Sequence, residues 1–370
     1  FTSNKDKIKN AIERAKKEGA RMIVFSELSI CGYPPLDLLE HKDFIQKCYK
    51  TIEELTSLSQ DIGILVGSPT LNEGTRGKML FNSALFLYEG KVKQVVNKTL
   101  LPTYDIFDEY RYFEQNATFD IVEFEGEKFA ITICEDLWDT TVVENSFAKD
   151  NIYQLSPMEM LHSLSPDYII NIAASPFSYD KEDLRERVLS DNAKRWDIPI
   201  IYVNQVGANT EIIFDGSSKV LNKKGEVVLK LKEFEEDFGI IETKSIHETR
   251  DSIPRNRKSK IEQIHDGLVM GIKDFFEKNG FKHAILGLSG GIDSAIVLAL
   301  ATKAIGSANV RVLLMPSQFS SDHSVNDAVK LAENLGVTYD IIKINEMYDA
   351  FNRQLSPIFE GKSFDVTEEN

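Results

Sequence analysis

Cysteine is scarce in this sequence. Its 370 residues include three, Cys31, Cys48 and Cys134, with no CxxC pair and no regular spacing. That excludes a disulfide framework and a four-thiolate metal site, and it points to a reducing compartment. Histidine is also thin: six residues with no HExxH spacing argue against a catalytic zinc. No apolar run approaches the ~20 residues that span a bilayer, and the first residues show no signal-peptide pattern, so a cytoplasmic protein with no membrane partner is expected. Positive charge is in deficit as well. Lys and Arg number 43 against 58 Asp and Glu, a net charge of −15, which leaves no broad basic face for nucleic acid. A local anion site needs only a few donors and stays open.

What is present is enough apolar material to fold. Hydrophobic residues make up 42% of the chain and charged residues 27%, which at a nominal ~150 residues per domain suggests two cores. Residues 4–19 have helical apolar spacing (Ile8, Ala11, Ile12, Ala15) and run through Gly19 into the apolar stretch Met22–Phe25. A second amphipathic stretch, 41–60, leads into 62–67, and 81–88 and 91–97 alternate about Glu89-Gly90 like paired strands. Strands are expected at 119–124, 128–134, 168–173 and 200–204, with a helix over 181–195 and a last hairpin over 217–231. Two inner sheets with outer helices accommodate this pattern. A charged, turn-rich connection follows over 236–260, including the basic run Arg255-Asn256-Arg257-Lys258, which reads as a solvated linker. From 261 a different rhythm begins: helix 261–279, strand 284–288, helix 294–305, strand 310–315, helix 323–335 and a strand near 339–344, with no further element evident. That is the style of a doubly wound domain.

Three contexts place polar residues where strands are expected to end: Phe25-Ser26-Glu27-Leu28, Asn97-Lys98-Thr99-Leu100 and Ile133-Cys134-Glu135-Asp136. Side chains at neighbouring strand ends can converge on one substrate. A thiol, a carboxylate and an ammonium together suit acyl transfer: the sulfur attacks an amide carbonyl, the carboxylate manages the proton, and the cation stabilises the oxyanion. By composition and spacing alone, the competing reading is a small buried cysteine and a structural Glu27–Lys98 ion pair.

Taken with Gly32-Tyr33-Pro34-Pro35-Leu36 and Leu101-Pro102, these contexts resemble the catalytic segments of the carbon-nitrogen hydrolase (nitrilase) superfamily, specifically its glutaminase domains. The resemblance covers 1–235 and implies a four-layer α-β-β-α sandwich. It implies Cys134 as nucleophile, Glu27 as general base, and Lys98 with the backbone N–H of Glu135 as oxyanion donors. Glu109, within Asp108-Glu109-Tyr110-Arg111, resembles the family's second glutamate. Tyr104, with Ser175 and Phe177 of Asn171-Ile172-Ala173-Ala174-Ser175-Pro176-Phe177, resembles its glutamine pocket, although on the residues alone that last segment is a strand running into a turn. The family's opening strand upstream of the first helix is missing, so the sequence is expected to start inside the domain.

In the second region, Leu288-Ser289-Gly290-Gly291-Ile292-Asp293-Ser294 joins a buried strand to a helix through two adjacent glycines. Backbone N–H groups at such a helix start can cradle an anion, with Ser289 and Ser294 adding hydroxyls and Asp293 suited to Mg²⁺ bridging phosphate oxygens. The loop lacks the GxxxxGK[ST] pattern and the dinucleotide fingerprint. It resembles the pyrophosphate loop of N-type ATP pyrophosphatases, which implies an adenine-nucleotide α-hydrolase-like fold. Leu314-Met315-Pro316-Ser317 and Ser320-Ser321-Asp322-His323-Ser324 resemble the NAD synthetase branch, with Met315, Ser320 and Ser321 near the nucleotide. Asp365–Asn370 resembles a segment inside that branch, so the domain at 261–370 is expected to be the first part of a longer one.

Together the two halves resemble the glutamine-dependent NAD(+) synthetases. The resemblance implies ATP, Mg²⁺, L-glutamine and deamido-NAD(+) as cofactors and partners, NAD(+) as product, and a homo-oligomer. A stand-alone amidase shares Cys134 but leaves the 289–294 loop without a purpose. A nonenzymatic nucleotide-binding scaffold would bind ATP and hydrolyse no amide.

Overall fold

A computed structural model describes residues 1–139, 153–247 and 258–358. The chain forms two compact units, Phe1–Ile264 and His265–Asn370.

The first unit opens with helix α1 (Thr2–Lys17), whose Ile8, Ile12 and Ala15 face inward. Strand β1 (Met22–Val24) pairs in parallel with β2 (Gly63–Leu71), which follows helix α2 (Lys42–Thr56). Strands β3 (Leu80–Tyr88) and β4 (Lys91–Asn97) extend this sheet antiparallel, in the order β1-β2-β3-β4. Glu89 and Gly90 both have positive φ, 51° and 66°, the two-residue hairpin geometry that matches strand twist. The period-2 alternation of β2 sorts its faces. Ile64 and Val66 pack with Ile12, Ile52 and Leu55 of α1 and α2, whereas Leu65 packs with Ala84 and Phe86 against the second sheet.

After the short helices α3 (Glu109–Tyr112) and α4 (Pro157–His162), helix α5 (Lys181–Trp196) covers the second sheet. That sheet contains β5 (Val122–Phe124), β6 (Glu127–Ile133), β7 (Tyr168–Ala173) and β8 (Ile200–Asn204). A separate hairpin, β9 (Val206–Asn209) and β10 (Ile212–Asp215), precedes β11 (Lys219–Leu221) and β12 (Val227–Lys230). The order is β12-β11-β8-β7-β6-β5, with β6, β7 and β8 parallel. Ile131, Ile133, Ile170 and Ile172 join Met158, Leu161, Leu189 and Ala193 of α4 and α5 in one core. The layers are helices, sheet, sheet, helices.

Helix α6 (Lys260–Asn279) crosses the division between the units. In the second unit β13 (Ala284–Gly287), β14 (Val310–Leu314) and β15 (Thr338–Ile341) form a parallel sheet in that order. They alternate with α7 (Ile292–Ile305) and α8 (Asp322–Leu335), and α9 (Asn345–Leu355) follows. Val312, Leu314, Leu298 and Ala332 lie at the centre of its core.

The β9-β10 hairpin and α9 are not among the expected elements, and α9 supplies a helix where the chain was expected to end without one. The 119–124 strand shortens to Val122–Phe124, and the final strand ends at Ile341. Within 236–260, Ile246 is fully buried in the first unit's core. Residues 255–257 of the basic run and the segment Asp365–Asn370 lie outside the described residues.

Candidate active site and nucleotide loop

Four strand ends meet in the first unit. Glu27 follows β1, where the chain lies so close to β2 that a Cβ on Gly67 would overlap the Leu28 amide nitrogen and sit 2.7 Å from the Ser26 carbonyl. Only glycine permits that approach. Lys98 follows β4, its N–H donating to the Asn82 carbonyl at 2.8 Å. Cys134 follows β6 and starts a 3-10 turn, Cys134–Leu137, at φ 44°, a conformation a non-glycine residue adopts only when its surroundings enforce it. The buried Asp136 carboxylate enforces it here. It accepts from the N–H groups of Ile133 (2.9 Å), Thr99 (3.0 Å) and Leu100 (2.8 Å), tying the Cys134 turn to the Lys98 segment. Burial pushes its carboxyl up to about 7 against those three donors. After β7, the Ala174 N–H donates to Glu27 Oε2 at 2.8 Å.

The charged groups at this junction are out of water. Lys98 and Glu27 are each 0% exposed, and Glu109 is 4% exposed. Lys98 Nζ donates to Glu27 Oε1 and to Glu109 Oε1, both at 2.7 Å. Burial opposes the Lys98 ammonium, but Glu109 and Glu27 outweigh it and hold the group well above its ordinary range. Burial lifts Glu109 to about 7, with Lys98 pulling against it and Glu27 adding repulsion; Tyr33 OH donates to its Oε1 at 2.9 Å. The Cys134 thiol is 6% exposed and is pushed well up by burial and then by the charge of Glu27, with Lys98 opposing. Such a sulfur rests as a thiol, so nucleophilic use requires a base beside it.

The other residues singled out from sequence take varied places. Tyr104 OH and Tyr153 OH both donate to Glu135 Oε1 at 2.8 Å, and burial raises Glu135. The Ser175 N–H donates to Asn204 Oδ1 at 2.8 Å, and Arg185, paired with Asp215 in the interior, reaches Ser175 Oγ at 3.5 Å. Phe177 is fixed by its N–H on the Ile213 carbonyl and by its ring against Phe234. Ser175 and Phe177 make no direct bond to Glu27, Lys98 or Cys134; they adjoin Ala174, which does bond Glu27. Sequence reasoning missed Asn82, Tyr33, Asp136, Tyr153 and the Arg185–Asp215 pair as working parts. A signal existed for Asn82, which with Ser83 is a polar pair inside an otherwise apolar strand.

In the second unit the chosen residues lie beyond the carboxyl ends of β13 and β14, the edge at which parallel sheets bind ligands. Ser289 Oγ lies 3.0 Å from Ser294 Oγ, and the Gly291 N–H donates to Ser289 Oγ at 3.3 Å. Gly290 has φ 83°, and a Cβ there would overlap the Ser324 carbonyl in the first turn of α8. The starts of α7 and α8 therefore come together at this glycine. Ser321 caps α8, accepting from the Ser324 N–H at 3.2 Å. Ser320 Oγ accepts from the Ser317 N–H, and Met315 is 49% exposed beside Gly287. Ile292 and Asp293 begin α7 and are exposed. Among the described residues no group of three or more His, Cys, Asp or Glu could hold a metal. Asp293 fits a cation only as one ligand, with phosphate oxygens and water as the others.

A buried cysteine at a strand end, beside a lysine between two glutamates in a four-layer sandwich, defines a carbon-nitrogen hydrolase. The carbon-nitrogen hydrolase family profile matches residues 1–250, and the NAD synthase profile matches 264–370. The glutamine-dependent NAD(+) synthetase of Synechocystis is 39% identical over 376 aligned residues, covering 100% of this chain and 67% of that protein. That of Acinetobacter baylyi is 34% identical, with 100% and 65% covered. The solved glutamine-dependent NAD(+) synthetase of Acinetobacter baumannii, in complex with adenosine diphosphate, superposes with TM-score 0.87 at 35% identity over 100% of this chain and 66% of that one. A nitrilase-superfamily amidase from Nesterenkonia shares the fold over 62% of the chain, at TM-score 0.52 and 18% identity. The chain belongs to the glutamine-dependent NAD(+) synthetase family and spans about two thirds of the length of these curated relatives. No helix among the described residues is long and apolar enough to cross a membrane.

Proposed function

We propose that this chain hydrolyses glutamine in its first domain, 1–235, and uses ATP in its second, 261–370, to amidate deamido-NAD(+). Residues 236–260 link the two. The reaction is deamido-NAD(+) + ATP + L-glutamine + H₂O → NAD(+) + AMP + pyrophosphate + L-glutamate. The observation that carries this reading is the dry junction of Glu27, Lys98 and Glu109 beside the Cys134 turn. Cys134 Sγ attacks the γ-amide carbon as its proton passes to Glu27. The carbonyl oxygen gains charge beside Lys98 and the Glu135 N–H, which stabilise it. Glu27 returns the proton to nitrogen, ammonia leaves, and a γ-glutamyl thioester remains. Water gives a proton to Glu27 and adds to the thioester, expelling Cys134 and releasing glutamate. Glu109 positions Lys98, and Tyr104, Glu135, Ser175 and Phe177 shape the glutamine pocket.

In the second domain the 289–294 loop cradles the pyrophosphate of ATP, and Met315, Ser320 and Ser321 flank the nucleotide. Mg²⁺ supplies charge neutralisation on the phosphates, and Asp293 is the carboxylate that would hold it. The nicotinate carboxylate of deamido-NAD(+) takes AMP, pyrophosphate leaves, and ammonia displaces AMP. The same reading makes the working form a cytoplasmic homo-oligomer; three free thiols are in keeping with a reducing compartment. The test supplies ATP, Mg²⁺ and deamido-NAD(+) with either glutamine or ammonium and measures NAD(+), AMP and glutamate. Glutamate released only when Cys134 is intact supports the reading; glutaminase activity that survives Cys134→Ala overturns it.

A further inference from the structure

Asn82, on β3, has no assigned role in the reaction, yet it touches three of its groups. It is 1% exposed. Its backbone carbonyl accepts from the Lys98 N–H, and its side-chain Nδ2 donates to Glu27 Oε1 at 2.7 Å and to Glu109 Oε2 at 3.5 Å. Both side-chain neighbours are carboxyl oxygens, so the amide orientation is fixed: turning it over would set Oδ1 against Glu27 Oε1. With Nδ2 committed, Oδ1 is left as a buried carbonyl oxygen that accepts no hydrogen bond from any described residue. A buried acceptor in that condition is costly, and native interiors seldom tolerate it without a partner from outside the chain.

We propose that Asn82 Oδ1 is the docking point for the small neutral donor of the glutaminase cycle, ammonia as it departs and water as it enters. The inference rests on the reading above and adds a residue to it. The chemistry favours a single locus. Ammonia leaves the acyl carbon and water attacks it, both exchanging a proton with Glu27, so one acceptor beside Glu27 can orient both. Each molecule has a hydrogen to give Oδ1 while keeping a lone pair for the carbon or for a proton. Asn82 thus presents donors to the two carboxyl groups and an acceptor to the mobile reactant.

Asn82→Ala in the full chain tests the proposal. The kcat for ammonia release from glutamine is expected to fall at least roughly tenfold to a hundredfold, because alanine removes the Oδ1 acceptor together with the Nδ2 bonds to Glu27 and Glu109. The KM is expected to stay within about twofold, because the glutamine pocket is elsewhere. Intact-protein mass spectrometry separates the two molecules. A Cys134 thioester that accumulates marks the water step, and slow acylation without accumulation marks the ammonia step. A kcat equal to that of the unaltered chain, or a raised KM at unchanged kcat, overturns the proposal. High-resolution diffraction from the unaltered protein requires no variant to fold. A solvent or ammonium peak within hydrogen-bond distance of Oδ1 is expected, and a protein donor or bare space there overturns the proposal. An unaltered chain that released no ammonia would sink the glutaminase reading instead, and the diffraction result would still decide whether Oδ1 holds a small donor.

Discussion

In the first unit, Lys98 sits fully buried between Glu27 and Glu109. In the second, the 289–294 loop is largely exposed, and its polar groups are backbone N–H groups, the hydroxyls of Ser289 and Ser294 and the Asp293 carboxylate. The difference follows from the chemistry proposed for each. A thiol that must lose a proton and an amide that must gain one need fixed charges in low dielectric, where a 2.7 Å ion pair keeps its strength. A nucleotide brings its own charge and must enter and leave, so preset backbone dipoles at an open edge suffice. Local strain follows the same division. The hydrolase site holds a positive-φ cysteine, whereas the loop assigns positive φ to Gly290, for which that conformation is ordinary.

Substitutions can break this contrast, and the largest effect belongs to the thiol. Cys134→Ala should reduce glutamine-supported NAD(+) synthesis at least about a thousandfold while ammonium-supported synthesis continues; equal losses with both nitrogen donors would end the division of labour. Lys98→Met should come next, because it leaves Glu27 and Glu109 facing each other without their cation. Urea unfolding should show a loss of about 3–5 kcal/mol, the usual result of breaking a buried ion pair on one side. A loss below about 1 kcal/mol would mean the pair is not held dry. Gly290→Ala should act only in the second unit. A Cβ on the Ser324 carbonyl at φ 83° should weaken ATP binding about a hundredfold by calorimetry, through strain of a few kcal/mol, and leave glutaminase rates unchanged. A glutaminase loss of similar size would show that the two sites are not separate in this respect.

The sequence carried the chemistry-bearing residues further than it carried their surroundings. Glu27, Lys98 and Cys134 stood out as polar residues at strand ends, and Ser289–Ser294 as adjacent glycines opening a helix, but those patterns fit a structural ion pair, a core cysteine and a plain turn equally well, and it was the resemblance to known families that pointed to chemistry. Ala174 and Asp136 did not stand out, because their work is done through backbone amides: the Ala174 N–H on Glu27, and three N–H groups on Asp136. Nothing in an alanine announces a donor. The β9-β10 hairpin escaped for a related reason. Gln205–Asp215 has little alternation, and its pairing joins Val206–Asn209 to Ile212–Asp215 across the two-residue turn Thr210-Glu211. Helix α9 carries an apolar stripe at helical spacing, Met347, Tyr348, Phe351 and Leu355, which the expected elements left out; none of its residues is buried. The strand order β12-β11-β8-β7-β6-β5 lies beyond periodicity altogether, since alternation fixes faces and says nothing of neighbours.

The smallest effect tests the contrast through protons. Burial lifts Glu109 to about 7 from an ordinary 4.5. Below pH 4.5 the folded and unfolded chains both hold that proton, so the group makes no difference. Between 4.5 and 7 only the folded chain keeps it, so folding binds a proton and stability must fall as pH rises. From pH 5 to 7 the loss from this one carboxyl should be about 2 kcal/mol. Glu109→Gln has nothing to titrate, so the difference between its urea stability and that of the unaltered chain should narrow or widen by that amount across the window. Asp136, also lifted to about 7, is common to both proteins and cancels in the comparison. Parallel pH profiles would mean that Lys98 keeps Glu109 ionised throughout, and the site would then hold two carboxylates on one ammonium.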